Sequence, residues 1–267
     1  MFSLFVGTHS RLIGLGGIDR SVRVLMEALA AGKEKKRQSL RCTCGAAAVE
    51  CRYWGEVARR IPSHDVSNRR AQYTVALDAF AAGFGDDAWP VDSSKHVESL
   101  DELSKIIGLD VRVVHLIKDV RSLSTSFIDQ ARSKKGVTRP GTLLAIEYFW
   151  RWRRENGKID ACVARNHLPV QRVGYEEVCL APDVVMGVIH NFLGVPKESC
   201  SLAFETSQSH LIAGNRMLNQ EEKQTLRYDH RWFARNDWLA AAFLFPQILR
   251  YNSQAVYSND AGAMWTR

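Results

Sequence analysis

The chain has 267 residues, 46% hydrophobic and 24% charged, with a formal net charge of +7. That balance supplies an ordinary globular core and excludes a disordered or low-complexity chain. The longest apolar run, Trp238 to Pro246, falls far short of the roughly 20 residues a membrane helix needs, and the opening MFSLFVG is too short for a signal peptide.

In chain order, residues 19–31 read as a helix that Asp19 caps and Gly32 ends. Residues 33–51 read as a basic loop with a cysteine cluster, and 53–61 and 69–83 as helices. Trp89 to Val91 is a short strand ending at Asp92, and Ser94 to Ile107 a helix closed by Gly108. Val111 to Ile117 is the clearest strand, followed by a helix from Asp119 to about Lys134. An aromatic-rich helix covers 143–155, a strand 169–173, and a helix 182–193 between Pro182 and Gly194. Residues 200–219 read as a polar loop, and 220–227 and 236–250 as helices. Strands alternating with helices predict an α/β domain over 1–267, a parallel sheet with helices on both faces.

Three stretches carry candidate chemistry. In VVHLIKDVRSLSTS (113–126), an apolar strand ends at a cation, Lys118; Asp119 then caps a helix, and Ser126 lies about two turns along it. Ligands of open α/β sheets bind at the carboxyl ends of strands, so Lys118 and Ser126 suit a phosphate group. In DSSK (92–95), polar residues follow a strand directly, and Lys95 can face an anion beside open backbone N–H groups; a capping motif with an exposed lysine is the plainer alternative. If its strand neighbours that of Lys118, both cations lie at one sheet edge. In SHLIAGNRM (209–217), Gly214 permits close backbone approach and Arg216 offers a fork for phosphate oxygens, the bland alternative being a Gly-Asn turn beside a surface arginine.

Cys42, Cys44 and Cys51 do not match the spacing of a four-ligand zinc set, so they read as packing or a disulfide, with a metal as the lesser alternative. GLGG (14–17) resembles part of a dinucleotide fingerprint, but its third glycine would fall on Asp19, and no strand is expected before it. His115 reads as a satisfied core histidine. Tyr148, Phe149, Trp150 and Trp152 can line an acceptor pocket, although their spacing fits a core helix better. The basic runs at 33–37, 132–139 and 151–154 are scattered and match no nucleic-acid module.

The 113–126 stretch resembles the 3′-phosphate-binding segment of sulfotransferases that use 3′-phosphoadenosine 5′-phosphosulfate (PAPS), where an Arg usually stands at the place of Lys118 and a Ser at that of Ser126. A strand ending in Asp-Ser-Ser-Lys, a late Gly-Asn segment, a Cys-x-Cys-Gly…Cys…Trp insertion and a strand–Tyr-Glu–Pro–helix–Phe-Leu-Gly segment (172–196) are similar to bacterial members. That family often has Arg before the Tyr, where this chain has Gly174. The resemblance implies a three-layer P-loop nucleotide-binding fold and transfer of a sulfuryl group from PAPS to a hydroxyl or amine of a small molecule or glycan. Lys118, Ser126, Gly214, Asn215 and Arg216 would hold the 3′-phosphate, and Lys95 would act at the transferred group, with Asp92 and His96 as candidate bases. No metal, nucleic acid or membrane partner is implied, and a cytoplasmic protein is expected. The family's first strand and 5′-phosphosulfate loop are expected to be missing, because Phe5 to Ile18 resembles the stretch after them. A truncated homologue that is inactive or only binds nucleotide is therefore the alternative; a basic interaction module is a third.

Overall fold

The computed structural model describes residues 2–30, 33–63, 67–85, 87–199, 207–213 and 226–257. They form an α/β protein, mostly helical, with two small parallel sheets. Two compact units are distinguished: residues 1–110 with 198–226, and 111–197 with 227–267.

The first unit contains helix α1 (Phe2–Val6), strand β1 (Leu12–Gly16), helices α2 (Ile18–Leu29), α3 (Glu34–Ser39), α4 (Trp54–Arg60) and α5 (Arg69–Phe84), strand β2 (Trp89–Asp92) and helix α6 (Val97–Leu103). β1 pairs parallel with β2, Leu12 opposite Trp89 and Gly16 opposite Asp92. Ile13, Leu15, Ile18, Val22 and Leu25 pack with Tyr53, Trp54, Tyr73 and Phe80 in one core.

The second unit contains strand β3 (Val113–Ile117), helices α7 (Val120–Lys135) and α8 (Gly141–Arg165), strand β4 (Val170–Gly174), and helices α9 (Tyr175–Leu180), α10 (Pro182–Leu193), α11 (Leu239–Leu244) and α12 (Pro246–Val256). β3 and β4 are parallel, from Val113 opposite Val170 to Ile117 opposite Gly174. Ile117, Val120, Leu144, Phe149, Trp152, Ile248 and Val256 form its core.

Several expectations are corrected. A strand runs into and through the glycine run: Leu12–Gly16 is β1, every residue of it buried, and it leads through Gly17 into α2. Its glycines disguise it, because LIGLG lacks the β-branched density of a typical strand. Gly14 is there for space: a Cβ would come within 2.9 Å of the Ser3 carbonyl oxygen. Among the described residues the strands form two ladders, β1–β2 and β3–β4, where a single sheet is expected. The helix expected over 94–107 is only Val97–Leu103, and that over 236–250 breaks into α11 and α12 at Pro246, whose ring cannot continue a helix from the preceding residue. α8 runs ten residues past the expected 155. Most of the helix expected over 220–227 lies outside the described residues.

His115 is a buried core histidine, its Nε2 3.0 Å from Asn156 Oδ1. Of the aromatic cluster, Phe149 and Trp152 are core, whereas Trp150 is exposed beside Phe245. No helix among the described residues is long and apolar enough to cross a membrane.

Candidate functional site

At the carboxyl end of β3 the chain turns into α7 through Lys118 and Asp119. The Asp119 carboxylate accepts from the Arg121 backbone N–H at 2.8 Å and caps the helix. It also accepts from the Arg121 guanidinium at 2.6 Å, Asn252 Nδ2 at 2.9 Å and the Tyr257 hydroxyl at 3.1 Å. Burial opposes its ionisation, but these donors hold its pKa below the usual carboxylate value. The Asp119 N–H donates to Glu176 Oε2 at 2.9 Å, which ties the turn to the start of α9. The Lys118 carbonyl accepts from Trp152 Nε1 at 2.9 Å. The backbone beneath Lys118 is thus fixed on three sides.

From this frame the Lys118 ammonium reaches Ser126 Oγ at 3.3 Å, near the second turn of α7. It lies 5.7 Å from the centre of the Tyr175 ring. Asp229 and Arg231 complete the cluster. Asp229 Oδ2 accepts from Lys118 Nζ at 3.1 Å, from Ser126 Oγ at 2.8 Å and from Arg231 Nη2 at 2.8 Å. Arg231 also donates to Ser126 Oγ at 3.1 Å and to Asp129 at 2.8 Å. The Arg231 guanidinium beside Asp229, with the Ser126 hydroxyl and Lys118, holds the Asp229 carboxyl far below its ordinary value. Two cations and a hydroxyl therefore converge on one anionic group. Lys118, Ser126 and Arg231 are donors of the kind that bind oxyanions, and here they serve the Asp229 carboxylate.

Sequence reasoning identifies Lys118 and Ser126, which the fold brings together, but misses Asp229 and Arg231. The stretch YDHRWFAR (228–235) is dense in charge and aromatics, yet nothing local in it points to α7. Gly214, Asn215 and Arg216 lie outside the described residues.

In the first unit, Asp92 ends β2 and is fully engaged. Its Oδ1 accepts from the Ile18 and Ser94 backbone N–H groups, each at 3.0 Å, and from Ser94 Oγ at 2.9 Å; its Oδ2 accepts from the Tyr73 hydroxyl at 2.7 Å. Desolvation pushes its carboxyl upward. Buried Asp19 accepts from the Arg20 N–H at 2.6 Å and the Ser99 hydroxyl at 3.0 Å. Gly17 and α2 follow β1, and carboxylates take the N–H groups of Ile18 and Arg20 in the first turn of that helix. Lys95 and His96 follow on the surface, both exposed.

Glu176 makes the stability of the fold depend on pH. Burial, reinforced by the Asp119 charge, pushes its carboxyl up to about 7, and its Oε1 has no hydrogen-bond partner among the described residues. The folded chain keeps this proton up to about pH 7, whereas the unfolded chain releases it near its ordinary value of 4.5. Between those values the unfolded state binds fewer protons, so stability falls as pH rises. Glu176→Gln is expected to flatten that slope and to be more stable than the parent at about pH 8, by about 1–3 kcal/mol. Urea unfolding of both proteins at about pH 5 and pH 8 checks this; equal slopes contradict it.

No protein-family model, curated protein or solved structure matches the chain.

Proposed function

We propose that the chain binds a 3′-phosphoadenosine nucleotide of the PAPS class, and that it is a sulfotransferase-like protein by that chemistry. The observation that carries this reading is the convergence of Lys118, Ser126 and Arg231 on the Asp229 carboxylate. A phosphate monoester with two negative charges would displace that single charge and gain the same three donors. The resemblance of 113–126 and 92–95 to PAPS-dependent enzymes supplies the nucleotide class and the reaction, sulfuryl transfer to a hydroxyl or amine. In such transfer the protein acts mainly by positioning and charge stabilisation. Lys95 is exposed directly after β2, and a role for it at the transferred group rests on the resemblance alone.

A second reading, nucleotide binding without transfer, is favoured by one observation. The first turn of α2 is occupied by the Asp19 and Asp92 carboxylates, which would repel a 5′-phosphosulfate there. Losing one backbone-type donor to a developing anion typically costs about 10²–10³ in rate.

Calorimetry with adenosine 3′,5′-bisphosphate (PAP) and with 5′-AMP tests the binding. PAP is expected to bind at least about tenfold more tightly than AMP, the worth of about one charge-assisted hydrogen bond. Equal affinities, or no binding of either, would remove the 3′-phosphate site. Asp229→Asn, which neutralises the competing carboxylate, is expected to raise PAP affinity by about three- to tenfold; a loss of affinity would make Asp229 a positioning group rather than a competitor. Tight PAP binding with no PAP released from PAPS across hydroxyl and amine acceptors would select the second reading.

A further inference from the structure

The Cys42, Cys44 and Cys51 thiols, which the nucleotide reading does not use, meet a histidine from far along the chain. One ligand atom from each of Cys42, Cys44, Cys51 and His210 lies within 4.8 Å of every other. Cys51 Sγ is 3.5 Å from Cys42 Sγ and 3.2 Å from His210 Nδ1, and Cys42 Sγ is 3.7 Å from the same nitrogen. Two sulfurs bound to one tetrahedral zinc ion at about 2.3 Å stand about 3.8 Å apart, and a sulfur–nitrogen edge is slightly shorter. A disulfide would place the sulfurs at about 2.05 Å, and all three cysteines are free.

We propose that Cys42, Cys44, Cys51 and His210 form a structural zinc site in the first unit, independent of the nucleotide reading. The donor set selects the metal: three thiolates and an imidazole in a tetrahedral cluster suit Zn²⁺, while Mg²⁺ and Ca²⁺ prefer oxygen ligands. Four protein ligands leave no open position for substrate, which makes the site structural rather than catalytic.

The backbone prearranges the ligands. Cys42 and Cys44 sit in a tight loop closed by an antiparallel bridge between Arg41 and Ala47 and by the Cys42 N–H donating to the Ala46 carbonyl at 2.9 Å. Gly45 turns the loop at φ +93°, where a side chain would be strained. Backbone N–H groups face two of the sulfurs, that of Cys44 towards Cys42 and those of Tyr53 and Trp54 towards Cys51. Amide donors of this kind orient and stabilise metal-bound thiolates. His210 is held without any metal: its N–H donates to the Gly14 carbonyl at 2.7 Å, and its carbonyl accepts from Trp54 Nε1 at 2.7 Å. Thr43, between the first two cysteines, donates its N–H to the Leu211 carbonyl at 3.0 Å and its hydroxyl to the Ser209 carbonyl at 2.7 Å. The zinc would staple the 42–51 loop to a segment 159 residues beyond Cys51, locking residues 207–213 beside β1.

The full chain, purified under reducing conditions without chelator, is expected to carry about one zinc per molecule by plasma mass spectrometry. Apo protein loaded with Co²⁺ alone should show thiolate-to-cobalt charge-transfer bands and the visible bands of a tetrahedral site. His210→Ala and Cys44→Ser should each weaken zinc binding by at least about 100-fold, because losing even an outer-shell partner typically costs about 10- to 100-fold. Should those variants fail to fold, the cobalt spectrum of the parent decides alone. Absence of zinc together with a Cys42–Cys51 disulfide in the non-reduced peptide map, or an octahedral cobalt spectrum without sulfur bands, would overturn the proposal.

Discussion

Lys118→Ala is expected to lower PAP affinity about 10- to 100-fold while leaving the thermal unfolding temperature nearly unchanged. A charge-assisted hydrogen bond is worth about 1.5–3 kcal/mol, and each 1.4 kcal/mol is tenfold in affinity. The Lys118 side chain is 23% exposed, so screening by solvent is partial. Its ammonium stands beside Ser126 Oγ and Asp229, with the Trp152 indole holding the backbone below. It therefore contributes to an anion without a large rearrangement. The variant also frees Asp229 from one of its two cations, which increases the repulsion of an incoming phosphate. Lys118→Arg should restore affinity to within about threefold, since a guanidinium reaches phosphate oxygens in a bidentate way. Calorimetry at two salt concentrations reads both effects, with a shallower salt dependence expected for the alanine variant. Unchanged PAP affinity in Lys118→Ala would place the nucleotide elsewhere.

Gly174→Ala is expected to destabilise the second unit by about 3 kcal/mol or more. Gly174 ends β4, opposite Ile117 of β3, at φ −77°, so no unusual backbone angle requires glycine there. The reason is space. A Cβ on Gly174 would collide with the Val256 carbonyl oxygen and lie 2.8 Å from its carbon. Backbone cannot rotate away as a side-chain tip can. The end of α12 would have to retreat, taking with it Ala255 and Val256, which are 3% and 0% exposed in the core. Overpacking of a tight core typically costs about 1–3 kcal/mol and more where backbone must shift. The same approach explains why a long cation before Tyr175 has no room in this chain. Gly187→Ala is the control: among the described residues its Cβ would meet only the Lys197 side chain at 3.6 Å, and removing a mid-helix glycine should stabilise by about 0.5–1 kcal/mol. Urea unfolding of both variants decides the matter. A cost below about 1 kcal/mol for Gly174→Ala would show that α12 moves cheaply and that the close approach is incidental.

Local signals survive translation into structure. Asp119 caps α7 within a residue of the expected start, and Pro182 and Gly194 bracket α10 as read, Gly194 taking the left-handed conformation at φ +71°. Each of these boundaries depends on a residue acting on its own or adjacent backbone, Asp119 by its carboxylate, Pro182 by its ring and Gly194 by lacking a Cβ. Signals fail where the deciding partner is remote. β1 is a strand because it pairs with β2, more than 70 residues later, and packs in the first core. Its glycines, which weaken strand propensity, answer to neighbours that the local pattern does not name.

The sequence by itself determined the α/β class, the bounds of α2, α4, α5, α7 and α10 to within two residues, and the pairing of Lys118 with Ser126, because strand, cap and helix follow one another within a few residues and geometry over two turns is nearly invariant. Only the tertiary structure decided that Asp229 and Arg231 close that site, that carboxylates fill the first turn of α2, and that His210 meets the three cysteines. The Asp92, Asp229, Arg231 and His210 contacts span 74 to 168 residues of chain, where separation in sequence carries no information about distance in space, and where burial rather than local propensity sets which groups meet.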